Sequence, residues 1–211
     1  MASKASHVGL KQAHRLIGMP YQKRMDFISK GLPLILERAQ KLYEDSKALS
    51  ESPMSAAILV NAAKEEAAKI LILMDVIRCP KKRIARDIKP LMKWYYDHLA
   101  RLIYSDSGTW KPQDIPDLKR IVDLQRKSHH LDGNIGEYIF PNMAIYQREL
   151  QLYVDVAIHD EDEPIWVSPL HDGFTPWNTK PLALTQAEAM KSLGLFESCL
   201  LYTSPSPRDR G

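Results

Sequence analysis

The stretch from Pro53 to Cys79, PMSAAILVNAAKEEAAKILILMDVIRC, constrains the fold more than any other, because it is apolar nearly all round the helix it would form. A helix with one apolar stripe can lie on a surface. One that is apolar on every side has to be surrounded. Ser52 followed by Pro53 reads as an N-cap with proline in the first turn. Pro80 ends the segment, since its ring cannot continue the hydrogen-bond ladder. The rest of the chain must therefore cover this rod with other helices.

Those helices are visible in the spacing of apolar residues. From about Tyr21 to Leu49, Met25, Ile28, Leu32, Ile35, Leu36, Ala39, Leu42 and Tyr43 recur at helical intervals. Gly31 and Pro33 interrupt this pattern, which predicts a kink or a short lead-in with the long helix starting near Pro33. A third helix is predicted from about Lys81 to Ser105, kinked at Pro90 and stopped by Ser105-Asp106-Ser107-Gly108. A fourth spans Asp117 to about Lys127, Leu131 to Asn134 reads as a loop, and a fifth helix runs from about Pro141 to Ile158. The texture then changes. Residues His159 to Leu184 are rich in proline, carry the acidic run Asp160-Glu161-Asp162-Glu163, and suggest one short strand at Ile165-Trp166-Val167. Thr185-x-x-Glu188 reads as a capping box opening a last helix to Gly194. The expectation is an all-α chain: a lead-in over 1–20, a helical bundle over 21–158 and a loop-rich appendage with a final short helix over 159–198. With 211 residues, 45% hydrophobic and 26% charged, the chain can bury a core of that kind.

The last thirteen residues, Cys199 to Gly211, break with everything before them. CLLYTSPSPRDRG has no apolar periodicity and resembles the in-frame translation of a transposase adapter used in preparing sequencing libraries. It is expected to be a non-native tail, 199–211, that packs on nothing. Cys79 is then the one native cysteine, which excludes a disulfide framework and fits a reducing, cytoplasmic setting. No apolar run reaches the roughly 18 residues that cross a bilayer, so no membrane association is expected. The formal charge of +3 neither demands nor excludes nucleic acid.

Three clusters could carry chemistry. Asn61, Glu65 and Lys69 recur every four residues and draw one polar stripe along the apolar helix, with Glu66 beside it. Glu65 to Lys69 is the favourable i, i+4 orientation. A charge left alone there would cost several kcal/mol, so Glu65, Glu66 and Lys69 must be paired. Such a stripe is either a buried network that sets helix register, the commoner case, or the polar wall of a groove. The second cluster is Lys93-Trp94-Tyr95-Tyr96-Asp97-His98-Leu99-Ala100-Arg101. On one continuous helix Trp94, His98 and Leu102 share a face, with Arg101 alongside. A histidine among cations can act as general base while Lys93 or Arg101 holds a phosphate, with Tyr95 and Asp97 as further binding candidates. A lone helix histidine is more often a packing residue. The third, Arg126-Lys127-Ser128-His129-His130, is explained by cations at a helix C-terminus. No defensible ligand spacing for a metal and no phosphate loop or nucleophile elbow is present, so no metal and no cofactor are expected.

The runs ISKGLPLILERAQKLYEDSKAL, AAILVNAAKEEAAKILILMDVIRCP and WYYDHLARLIYSD, with LDG at Leu131 to Gly133 and YQRELQLYVDVA at Tyr146 to Ala157, resemble the AbiV-like branch of the HEPN superfamily. The resemblance covers roughly Phe27 to Pro169. It implies an up-and-down helical bundle, a role in abortive infection as antiviral defence, and a homodimer. Many HEPN proteins are metal-independent ribonucleases in which a histidine activates the 2′-hydroxyl and an arginine a few residues earlier steadies the phosphate. Here Lys93 stands in that arginine's place, and a lysine lacks the planar fork that grips a phosphate bidentately. Two readings stay open: a toxin-like endoribonuclease acting on RNA, with His98, Lys93 and Arg101 at its centre, and a non-catalytic interaction module that binds a phage or ribosomal protein.

Overall fold

The computed structural model describes residues 15–79, 83–110, 116–117, 120, 133–135, 138–140, 143–157, 163–168, 179–198 and 201. The fold is all-α, as the apolar spacing predicts, with two short antiparallel ribbons among the described residues. Helix α1 runs over Tyr21–Lys47 and α2 over Pro53–Arg78. Ser52 sits at the N-cap of α2, although its hydroxyl makes no capping bond. Cys79, the residue before Pro80, turns to extended backbone as pre-proline residues do.

Helix α1 starts at Tyr21 and is continuous through Pro33, which corrects the expectation of a short lead-in with the long helix starting near Pro33. Its buried face is Met25, Ile28, Leu32, Leu36, Ala39 and Leu42, and that face keeps helical register on both sides of the proline. Pro33 itself points to solvent. Fully burying a Leu or Ile side chain stabilises by about 1.5–3 kcal/mol, so the face together outweighs the roughly 3 kcal/mol that an internal proline costs.

The predicted third helix is two helices, α3 over Ile84–Tyr95 and α4 over His98–Trp110. The break falls at Tyr96-Asp97, and Pro90 lies inside α3. Tyr96 N–H bonds back to the Lys93 carbonyl at 3.2 Å and Asp97 N–H to the Trp94 carbonyl at 3.1 Å, closing α3. The Asp97 carboxylate then accepts the Ala100 N–H at 2.9 Å, an N-cap that opens α4. Helix α4 also runs past Ser105, where the sequence suggested a stop.

Helix α2 lies at the centre, packed against α1, α3 and α4 and against two later helices, α5 over Met143–Leu152 and α6 over Leu182–Ser192. Ile70, Leu71, Ile72, Leu73 and Met74 are all buried, so this stretch of the helix is covered on every side. The fifth helix is shorter than predicted: after Leu152 the chain extends into β3, Asp155–Ala157, which pairs antiparallel with β4, Ile165–Val167. Val154 and Val156 are β-branched and exposed, so nothing rewards continuing the helix there. An earlier ribbon joins β1, Gly133–Ile135, to β2, Tyr138–Phe140, and takes in Gly133 and Asn134 of the expected loop. The predicted fourth helix and Arg126 to His130 lie almost wholly outside the described residues.

Helix α6 returns the appendage to the core through Ala183, Leu184 and Ala187. It begins three residues before the expected capping box, at Leu182, and Glu188 pairs with Lys180 and Gln40 instead of capping. Its end is as predicted: Gly194 takes φ 74°, Gly194 N–H bonds the Lys191 carbonyl at 2.9 Å and Leu195 N–H the Met190 carbonyl at 3.0 Å, a Schellman motif. Leu201 is 2% exposed and joins the core cluster, so the segment after Ser198 does not pack on nothing. No helix among the described residues is long and apolar enough to cross a membrane.

Candidate active site

Because α2 is surrounded, its polar stripe faces neighbouring helices. Asn61 Nδ2 donates to Gln151 Oε1 on α5. One turn on, Glu65 is 7% exposed and receives three partners. His98 Nδ1 lies 2.7 Å from its Oε2, Arg101 Nη2 lies 3.3 Å from the same oxygen, and Arg148 Nε lies 2.9 Å from Oε1. Asn61 and Glu65 ascend α2 while Gln151 and Arg148 descend α5, so the two helices run antiparallel across the site. Glu65 does not pair with Lys69, as the i, i+4 orientation suggested. Lys69 Nζ sits 2.5 Å from Glu66 Oε2 and 5.6 Å from the Tyr95 ring centroid, forming a second polar group beside the first.

Asp97 sets the geometry of α4. By capping at Ala100 it makes His98 the first helical residue, and its carbonyl accepts Arg101 Nε at 3.4 Å. His98 therefore stands at the mouth of the site, with 54% of its side chain exposed, over a carboxylate that is nearly dry. Nδ1 also lies 3.1 Å from Arg101 Nη2, which can only donate, so two contacts compete for it. The shorter one, at 2.7 Å to a carboxylate that only accepts, favours a proton on His98 Nδ1. The neutral ring then carries its lone pair on Nε2. A buried acceptor behind an exposed imidazole is the arrangement that orients a general base.

Burial pushes the Glu65 carboxyl up, but the His98 hydrogen bond, the Arg101 charge and the Arg148 hydrogen bond outweigh it and leave it below the ordinary glutamate value. Glu65 is thus an anion at neutral pH. The Arg148 guanidinium moves the other way: burial lowers it, and the Glu65 and Glu149 carboxylates raise it further than that. Tyr95 is pushed up to about 12, first by burial and then by the Glu66 charge. It stays a neutral phenol whose ring packs edge-on against Tyr96 at 5.0 Å.

Of the predicted site residues, His98, Arg101 and Glu65 converge, Asp97 supports them through the backbone, and Glu66, Lys69 and Tyr95 form the neighbouring group. Lys93 does not join. It is exposed on α3, across the break at Asp97, and no hydrogen bond or ion pair links it to His98 among the described residues. Trp94 and Leu102 do not share a face with His98 either. Both are buried, Trp94 against Tyr104 at 5.8 Å between ring centroids. Sequence reasoning missed Arg148 and Gln151. Their signal was present: two polar residues at i, i+3 on α5 mirror Asn61 and Glu65 at i, i+4 on α2. Among the described residues no group of three or more His, Cys, Asp or Glu side chains converges as a metal site.

No protein-family model, no curated protein and no solved structure matches the chain. The functional reading therefore stands on the geometry above and on the motifs quoted from the sequence.

Proposed function

We propose that this chain is an AbiV-like HEPN protein of phage defence that cleaves RNA without a metal. The observation that carries the reading is the His98–Glu65 pair: an exposed imidazole whose Nδ1 is committed to a buried carboxylate and whose Nε2 is left for substrate. In this mechanism Nε2 takes the proton of a ribose 2′-hydroxyl as its oxygen attacks the adjacent phosphorus. The 5′-oxygen leaves and a 2′,3′-cyclic phosphate remains. Arg101 supplies charge to the phosphate from Nη1, the one guanidinium nitrogen without a partner among the described residues. A second copy across a two-fold axis would bring another Arg101 and His98 to the same phosphate, the protonated histidine serving the leaving oxygen. The proposed setting is the cytoplasm and the proposed partner is RNA.

The test is cleavage of total RNA in chelator, with wild-type protein against His98→Ala. Loss of cyclic-phosphate products in the variant is expected, by about a hundredfold or more. Equal cleavage by both proteins, or none by wild type, overturns the nuclease reading. A specific feature favours the alternative of an interaction module for a phage or ribosomal protein: the β3–β4 ribbon exposes Trp166 at 75%, with Tyr153, Val154, Val156 and Ile165 also exposed. Growth arrest that survives His98→Ala but is lost in Trp166→Ala would select it.

A further inference from the structure

Glu65 can orient His98 only if its own carboxylate is held still. The terminal torsion of a glutamate is soft and broad, so a single hydrogen bond to one oxygen leaves the group free to rock. His98 and Arg101 both approach Oε2. Oε1 is held by Arg148 alone among the described residues. We propose that Arg148 is the positioning residue of this site: it fixes Glu65 from behind, so that Oε2 faces His98 Nδ1 and Nε2 points outward. The inference rests on the reading of His98 as a base and adds a residue that touches no substrate.

Three observations carry it. Arg148 is itself pinned at both ends of its planar head, through Nε to Glu65 Oε1 at 2.9 Å and through Nη1 to Glu149 Oε1 at 2.7 Å. A rigid fork held at two points transmits position in a way that a flexible ammonium does not. Next, α5 packs against α2 and α4, the two helices that carry Glu65 and His98, and the Gln151–Asn61 bond ties it down one turn away. Arg148 thus closes a triangle whose three corners come from three helices. Finally, burial acts against the Glu65 anion, and the Arg148 hydrogen bond is one of the interactions that offset it. Without that bond the Glu65 carboxyl would take up a proton from water more readily, and a protonated carboxyl donates to Nδ1, which places the ring proton on Nε2 instead.

The direct readout is the tautomer of His98, followed by nitrogen NMR at about pH 8, above the ordinary imidazole range, with the signal assigned from the His98→Ala spectrum. Wild-type protein is expected to hold the Nδ1-protonated form as the majority species. In Arg148→Met its share should fall by about twofold or more, because Glu65 loses the bond that aims it. Arg148→Lys should recover part of the loss, since an ammonium supplies charge and one donor. If Arg148→Met does not fold, Arg148→Gln takes its place, with the same fall expected. A folded Met or Gln variant with the wild-type tautomer overturns the proposal. Lack of any recovery in the Lys variant also overturns it, by assigning the effect to packing. Where wild type cleaves RNA, Arg148→Met should in addition lower kcat by about tenfold or more with KM little changed. Where it does not, the nuclease reading fails while the tautomer measurement still decides the role of Arg148.

Discussion

His98 Nδ1 lies 2.7 Å from Glu65 Oε2, joining an imidazole that is half in water to a carboxylate that is almost entirely out of it. The pair bridges the first turn of α4 and the middle of α2, so it is both a tie between helices and the centre of the proposed site. Its two roles predict different outcomes for its two partners.

Removing the buried partner should unfold more than it inactivates. Glu65→Leu leaves Arg101 and Arg148 facing each other without the anion between them, and breaking a buried pair from one side costs about 3–5 kcal/mol. His98→Ala, at an exposed ring, should cost within about 1 kcal/mol. Urea unfolding of the two variants checks the contrast. The sign of the pH dependence follows from Glu65, whose folded value lies below its unfolded one. The stability it contributes is complete above the ordinary glutamate range and is lost as pH falls through the folded value. Glu65→Leu should flatten that acid limb.

Asp97 should matter for both stability and position. Asp97→Ala removes the bond to the Ala100 N–H and should cost about 1 kcal/mol in thermal or urea unfolding. Asp97→Asn and Asp97→Ser, which also cap, should restore most of it. A helix α4 that frays at His98 should lose RNA cleavage in the alanine variant at temperatures where the bundle is still folded.

Pro33→Ala tests the continuity of α1. The proline is exposed inside the helix and leaves the Ser29 carbonyl without its i+4 donor. Replacing it should stabilise the protein, by up to about 3 kcal/mol. A loss of stability would mean that the proline sets a bend on which the packing depends.

Leu201→Ala should destabilise by about 2–5 kcal/mol, the ordinary range for a fully buried leucine. Deletion of 199–211 should lower the thermal midpoint by at least as much as the point substitution does. An unchanged midpoint in the deletion would show that Leu201 contributes nothing to the core it occupies.

By itself the sequence determined the central helix, the burial of its apolar run, and the need to pair Glu65. Those follow from local quantities: apolar residues on every side of one helix, proline at its two ends, and the cost of an isolated charge. It also determined the Gly194 stop and the strand at Ile165–Val167, because turn chemistry and β-branching act over a few residues. The partners of Glu65 were decided by the tertiary structure. His98 follows Glu65 by 33 residues and Arg148 by 83, and no local spacing relates them. Lys69, four residues away, had the better local claim and went to Glu66. The same holds for Pro33 and Asp97. A proline that breaks an isolated helix is carried through when a long buried face spans it, and an aspartate inside a helical run becomes a cap when the next helix must turn back onto α2. Local rules weigh terms of about 1–3 kcal/mol, and the packing of whole faces sums many such terms and settles which of them prevail.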